Sequence, residues 1–263
     1  MILAYFGTLP KPVLTMVRWW AQDVGVDRVQ GLCSGSLRQE QAIRVARPGA
    51  SIRANDVTML SVALGRFARG DDHAGITFKR DLAPLNDAKS RMLAAACVHK
   101  SLKGRRLRLP LTGAQIESIL STVEDSYAEH RAAADGVRLD GFDECDFRDL
   151  LNRPGAVVGF PPTFVGQYEK DARRVADRCD WGPPNYKTWD PDQFPDVCRQ
   201  VHERGEPWLL GAERLYDGLP LLSIHANPPN RTVYVYGHPD TRLINTDTTP
   251  RLRWFPRTID PAR

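Results

Sequence analysis

Four short stretches of this chain combine small, acidic, aromatic and proline residues in patterns that could hold a nucleoside and present a reacting atom beside it. The first is Gly31-Leu32-Cys33-Ser34-Gly35-Ser36. Small side chains at Cys33, Ser34, Gly35 and Ser36 let a ligand approach the backbone closely; the same composition also makes a plain strand-to-helix turn. The second is Asn55-Asp56, about 20 residues further on, where nucleotide-binding α/β folds place an acid against ribose hydroxyls. A carboxylate can accept two hydrogen bonds from a vicinal diol, and Asn-Asp equally caps a following helix. The third is Asp146-Phe147, ahead of Leu150-Leu151. An acid beside an apolar ring can accept from an adenine amine and cover the base; the alternative is a surface helix start with a core phenylalanine. The fourth is Gly159-Phe160-Pro161-Pro162-Thr163-Phe164. Two prolines at a strand end fix φ, and such a turn presents carbonyls and a ring outward, which suits gripping an extruded base.

These stretches need elements that bring them together, and the apolar patterning supplies a candidate set. Val13, Met16, Val17 and Trp20 share one face of a predicted helix over 13–24. Strands are expected at 27–33 and 50–55, each followed by a helix, over 37–45 and 57–68. Strand, tight turn, helix, strand, helix is the rhythm of a parallel sheet with right-handed crossovers. Two helical stretches, 88–100 and 113–133, fall inside 73–135, which reads as a helical insertion into a single α/β domain spanning 1–263. Strand character returns at 156–160 and near 208–210. Two alternating apolar runs, 219–225 and 232–238, flank Ala226-Asn-Pro-Pro-Asn230 and predict a C-terminal β-hairpin. The Arg-rich, Pro-punctuated stretch from Thr241 reads as a tail packed on the surface.

Bulk composition narrows the classes. Of 263 residues, 42% are hydrophobic and 26% charged, which fits an ordinary globular core rather than disorder. The net charge of +4 is compatible with a polyanionic partner. The densest basic stretch, His99–Arg108, carries Lys100, Lys103, Arg105, Arg106 and Arg108, which could contact phosphates or form a solvated loop. Five cysteines without a CxxC pair give neither a zinc site nor a disulfide framework. The six histidines lack metal-ligand spacing, so no metal is expected. No GxSxG elbow, HExxH or phosphate-binding Walker loop occurs. No secretory leader pattern and no run of 18 apolar residues is present, so the expectation is a cytoplasmic protein without a membrane partner. Trp181, Tyr186 and Trp189 lie in a Pro/Gly-rich stretch and either stack on bases or fold into a small apolar cluster. Tyr168, Glu169 and Lys170 follow the proline pair and either line a crevice or begin a solvated helix.

In order, the four stretches resemble the amino-methyltransferases that make N6-methyladenine in DNA, more specifically the antirestriction adenine methyltransferases of mobile elements. The resemblance rests on CSGS (33–36), NDVTMLSVALGRF (55–67), CDFRDLL (145–151) and FPPTFVGQYEK (160–170). It implies a class I methyltransferase-like, Rossmann-like fold with a mostly parallel sheet, binding S-adenosylmethionine. It would set Cys33, Ser34, Gly35 and Ser36 against the methionine part, Asn55 and Asp56 at the ribose, and Asp146 with Phe147 around the adenine. Pro161 and Pro162 match the proline pair of the family's catalytic motif, so Phe160, Pro161, Pro162, Thr163 and Phe164 are the candidate catalytic residues.

That motif departs from the family pattern. Phe160 stands where a polar acceptor for the target amine is usual, and Thr163 holds the aromatic position, with Phe164 one step later. Backbone carbonyls of Gly159 or Phe160 would then accept from the amine, with orientation supplying most of the catalysis. Gly7 and Lys11 are a poor match to the family's N-terminal cofactor block. The resemblance thus implies a DNA adenine-N6 methyltransferase that protects mobile DNA from restriction, with 73–135 as the target-recognition region. Two other readings stay open: the same fold with another base modification or acceptor, and a non-catalytic DNA-binding protein or partner subunit.

Overall fold

The computed structural model describes residues 9–73, 75–103, 108–162, 173–227 and 231–238. The first helix, α1 (Lys11–Asp23), has Pro12 in its first turn, where a missing N–H costs nothing. It buries Val13, Met16, Val17, Trp20 and Ala21, the i, i+3, i+4, i+7, i+8 stripe of an amphipathic helix. Then come β1 (Arg28–Leu32), α2 (Arg38–Ala46), β2 (Ser51–Asn55) and α3 (Met59–Ala68).

The next segment is helical. A two-residue strand, β3 (Thr77–Phe78), leads into a 3-10 helix (Arg80–Asp87), then α4 (Arg91–Lys103) and α5 (Gly113–Val137). Helix α5 starts at a capping box: Thr112 Oγ1 accepts from Gln115 N at 3.3 Å while Gln115 Oε1 accepts from Thr112 N at 2.9 Å. It runs four residues beyond the expected end at 133. Leu82, Leu85, Met92, Val98, Ile116 and Val123 join Phe67 of α3 in one apolar cluster, so these helices pack against α3.

The chain returns through β4 (Gly141–Asp143) and a 3-10 turn (Phe147–Leu150) to β5 (Ala156–Gly159). Next come β6 (Cys179–Asp180), which pairs with β3, then α6 (Phe194–Glu203) and β7 (Trp208–Ala212). Strands β8 (Leu221–Asn227) and β9 (Arg231–Gly237) are paired antiparallel, in line with the two C-terminal apolar runs.

Among the described residues the main sheet has seven strands in the order β4-β2-β1-β5-β7-β9-β8. Pairs β4–β2, β2–β1, β1–β5 and β5–β7 are parallel; β9 runs against both its neighbours. Both faces are covered. Ala156 and Val158 of β5 join Leu209 of β7 in the cluster beneath α1 and α2. Val157, Trp208 and Leu210 point the other way, to Phe194, Val197 and Val201 of α6. The chain runs outward from β1 through β2 to β4, then crosses back to β5 on the opposite side of β1. Such a reversal opens a crevice at the carboxyl ends of β1 and β5. Among the described residues no helix is long and apolar enough to cross a membrane.

Candidate active site

The crevice holds a cavity partly open to solvent. Its walls come from the ends of four parallel strands. Cys33 and Gly35 follow β1; Asn55, Asp56, Val57, Thr58 and Ser61 end β2 and begin α3. Asp146 and Phe147 follow β4, and Phe160 and Pro162 follow β5. The register explains the convergence: Leu32 pairs with Gly159, and Asn55 pairs with Asp143.

The loop after β1 is tightly wound and heavily bonded. Cys33, Gly35 and Leu37 all take positive φ, between 52° and 60°, a strained region for the two that are not glycine. Ser34 anchors the loop. Its N–H donates to Asn55 O at 2.8 Å, and its Oγ accepts from Asn55 N at 3.1 Å. The same hydroxyl donates to Glu40 Oε1 at 2.6 Å. Glu40 lies fully buried behind the loop, and burial pushes its carboxyl up to about 7 against the pull of bonds from Ser34 and Gln39. Gly31 is required above it, because a β-carbon there would overlap the Glu40 carboxylate.

Asp56 ties this loop to the next. Its Oδ2 accepts from Gly35 N at 2.9 Å; its Oδ1 accepts from Val57 N at 2.8 Å and Thr58 N at 2.9 Å. The Thr58 hydroxyl lies 3.0 Å from Oδ1 and 2.8 Å from Ser61 Oγ. Burial raises the Asp56 pKa, and the donors from Thr58, Gly35 and Val57 oppose that rise. Only Oδ2 keeps an acceptor position beyond these bonds. Asn55 spends its amide group on the β4 end, donating to Asp143 O at 2.9 Å and Cys145 O at 2.7 Å. The Cys33 thiol is held neutral: burial, then the Asp56 and Asp146 charges, push its pKa well up, so it is no thiolate nucleophile.

Asp146 is fully engaged. Oδ1 accepts from Arg148 N at 3.0 Å and Arg148 Nε at 2.8 Å, and Oδ2 from Arg148 Nη2 at 2.5 Å and Lys187 N at 3.2 Å. Burial works to raise its pKa, but the hydrogen bonds from Arg148 and Lys187 and the Arg148 charge outweigh it and hold the carboxyl below the usual value. Tyr186, Lys187 and Trp189 form the wall opposite the strand ends. The Trp189 ring meets Phe147 edge-on, centroids 5.1 Å apart.

Of the expected cofactor residues, Cys33, Gly35, Asn55, Asp56, Asp146 and Phe147 line the cavity, while Ser34 and Ser36 are buried beside it. Phe160 and Pro162 line it and Pro161 does not; Thr163 and Phe164 lie outside the described residues, as do Tyr168, Glu169 and Lys170. The Phe160 ring rests on Gly211 of β7, where a β-carbon would overlap it. Trp181 packs instead against the helical cluster. In the basic stretch, Lys100 on α4 and Arg108 are exposed. Lys103 ends α4, though its side chain lies outside the described residues, as do Arg105 and Arg106. Sequence reasoning missed Val57, Thr58, Ser61 and Lys187. The first three follow the Asn-Asp pair closely enough to be found by extending it; Lys187 is held through its backbone, which no residue type announces.

A ligand crevice at the switch point of a mostly parallel, doubly covered sheet defines an α/β protein of Rossmann-like architecture. The chain belongs to the family described as Phage DNA Adenine Methylase-like domain 1, which matches residues 5–253. It is therefore a protein of the DNA methyltransferase type, with DNA as the implied substrate. No curated protein matches the chain.

Proposed function

We propose that the protein is an S-adenosylmethionine-dependent methyltransferase acting on the N6 amine of adenine in DNA, with a class I methyltransferase fold. One observation carries the reading: four loops spread over more than a hundred residues of chain, carrying Gly35, Asp56, Phe147 and Pro162, enclose one cavity. The residues fit the cofactor in kind. Asp56 Oδ2 keeps an acceptor position for a ribose hydroxyl, Cys33 and Gly35 give a small-residue wall for the methionine part, backed by the buried Ser34 and Ser36, and the Phe147 and Trp189 rings give an apolar wall for the adenine. The Asp56 carboxylate also favours a cationic sulfonium.

When bound, the cofactor supplies an electrophilic methyl group. The chain's own task is then orientation and exclusion of water. Pro161 and Pro162 fix the backbone after β5, and the Phe160 ring, seated on Gly211, holds the turn against the sheet. A backbone carbonyl of Gly159 or Phe160 is the acceptor for the target amine, and the motif's next residues, Thr163 and Phe164, are the remaining catalytic candidates. The helical segment 73–135 is the target-recognition region, where Lys100, Lys103, Arg105, Arg106 and Arg108 neutralise phosphates. Protection of mobile DNA from restriction, in the cytoplasm of the host cell, is the role this activity would serve.

The family match over most of the chain supports the DNA substrate. The Phe160 ring docked on Gly211 also favours a second reading, the same fold with a different base modification or acceptor, because no side-chain acceptor precedes the prolines. Calorimetric titration with S-adenosylhomocysteine tests the cofactor assignment. The wild-type protein should bind, and Asp56→Ala should bind at least tenfold more weakly, the loss of one charge-assisted hydrogen bond being worth about 1.5–3 kcal/mol. Equal affinity of the two proteins would remove Asp56 from the site.

A further inference from the structure

The Asp146 carboxylate has about four acceptor positions, and protein donors occupy all of them. A ligand amine could bond to it only by displacing Arg148 or the Lys187 peptide. Arg148 is equally committed. Besides its two side-chain bonds to Asp146, it donates from Nη2 to Lys187 O at 2.7 Å and from Nη1 to Gln193 Oε1 at 3.0 Å. Its guanidinium also lies 6.0 Å from the Phe147 ring centre and 5.9 Å from that of Trp189. The Lys187 peptides are thus gripped from both sides, N–H by the acid and C=O by the base. That grip fixes the Tyr186–Trp189 wall against the β4 loop.

We propose that Asp146 and Arg148 are a positioning pair: they clamp the backbone of Lys187 and so set the Phe147–Trp189 aromatic wall of the cavity, rather than bonding to the ligand. The proposal rests on the cofactor reading of that cavity. It assigns adenine recognition on this side to ring contact with Phe147 and Trp189, and makes Asp146 an organiser of that wall.

A double-mutant cycle on S-adenosylhomocysteine affinity tests it, paired with hydrogen exchange of the unliganded protein. Asp146→Ala and Arg148→Ala should each weaken binding about tenfold, and the double variant should be no weaker than either, as for residues acting as one unit. Exchange over Tyr186–Trp189 should rise in both variants while β1 and β5 stay protected, which shows that the sheet remains folded. Arg148→Lys keeps a cation by Asp146 but cannot reach Lys187 and Gln193 together, so it should fall between wild type and Arg148→Ala. Binding by Arg148→Ala as tight as wild type or tighter, with Asp146→Ala weakened, would make the acid a direct ligand contact and overturn the proposal. So would unchanged exchange at Tyr186–Trp189. No binding by the wild-type protein would overturn the cofactor reading and the pair's role in it, while raised exchange would still identify the clamp.

Discussion

Replacing Glu40 by glutamine should remove a pH dependence of stability while leaving the packing behind the β1 loop in place. Glu40 is completely buried, its Oε1 accepts from Ser34 Oγ and Gln39 Nε2, and its Oε2 has no hydrogen-bond partner. Burial lifts its pKa from 4.5 to about 7. The folded protein therefore keeps a proton that the unfolded chain releases. The stability this contributes is fully present below pH 4.5 and is lost as pH rises through about 7. At about 1.4 kcal/mol per pKa unit, the loss between pH 5 and pH 8 comes to roughly 2–3 kcal/mol. Glutamine is nearly isosteric with the protonated acid, still accepts from Ser34 and Gln39, and does not titrate. Urea unfolding of both proteins at pH 5, 6, 7 and 8 reads the difference. The two should be within about 1 kcal/mol at pH 5, with Glu40→Gln the more stable by roughly 2–3 kcal/mol at pH 8. Parallel pH profiles would show that Glu40 ionises freely in the folded state, and would refute the burial argument.

Two other outcomes follow from the same geometry. Gly211→Val should displace the Phe160 ring from β7 and lower methyl transfer at least tenfold, about 1.4 kcal/mol in barrier, with circular dichroism unchanged; full activity would mean the Pro-Pro turn is held by other contacts. Lys100→Ala with Arg108→Ala should reduce the slope of log affinity for duplex DNA against log salt by about 1–2, since each lost phosphate contact removes about 0.9. An unchanged slope would move the DNA path away from the α4 end.

The β1, β2 and β5 ends were legible because each strand runs into small, polar or proline residues that break it, Cys33–Ser36, Asn55-Asp56 and Pro161-Pro162, although each turn taken alone also allowed a plain structural reading. Strand β4 was not, because Gly141-Phe142-Asp143 is too short to alternate. It is held by pairing with β2 and by the Arg53–Asp143 ion pair, 3.0 Å long. The aromatics over 181–189 left two outcomes open, and both tryptophans pack into apolar clusters: Trp189 with Phe147 at the cavity, Trp181 against the helical cluster. Asp146 carried the right chemistry for a ligand contact, but residue type says nothing of how many donors a carboxylate already holds. The saturation by Arg148, two residues on, is a property of the folded backbone. Similarly, Asn55-Asp56 suggested both a ribose acid and a helix cap. Asp56 bonds the turn before α3 and the β1 loop at once, a junction that depends on β1 and β2 lying side by side.

Mass spectrometry of nucleosides from DNA of cells expressing the protein tests the central claim most directly. The account predicts a deoxyadenosine heavier by one methylene unit and eluting with N6-methyldeoxyadenosine, absent when Asp56→Ala is expressed instead. Unmodified adenine throughout, or a different added group or a different base, would contradict it.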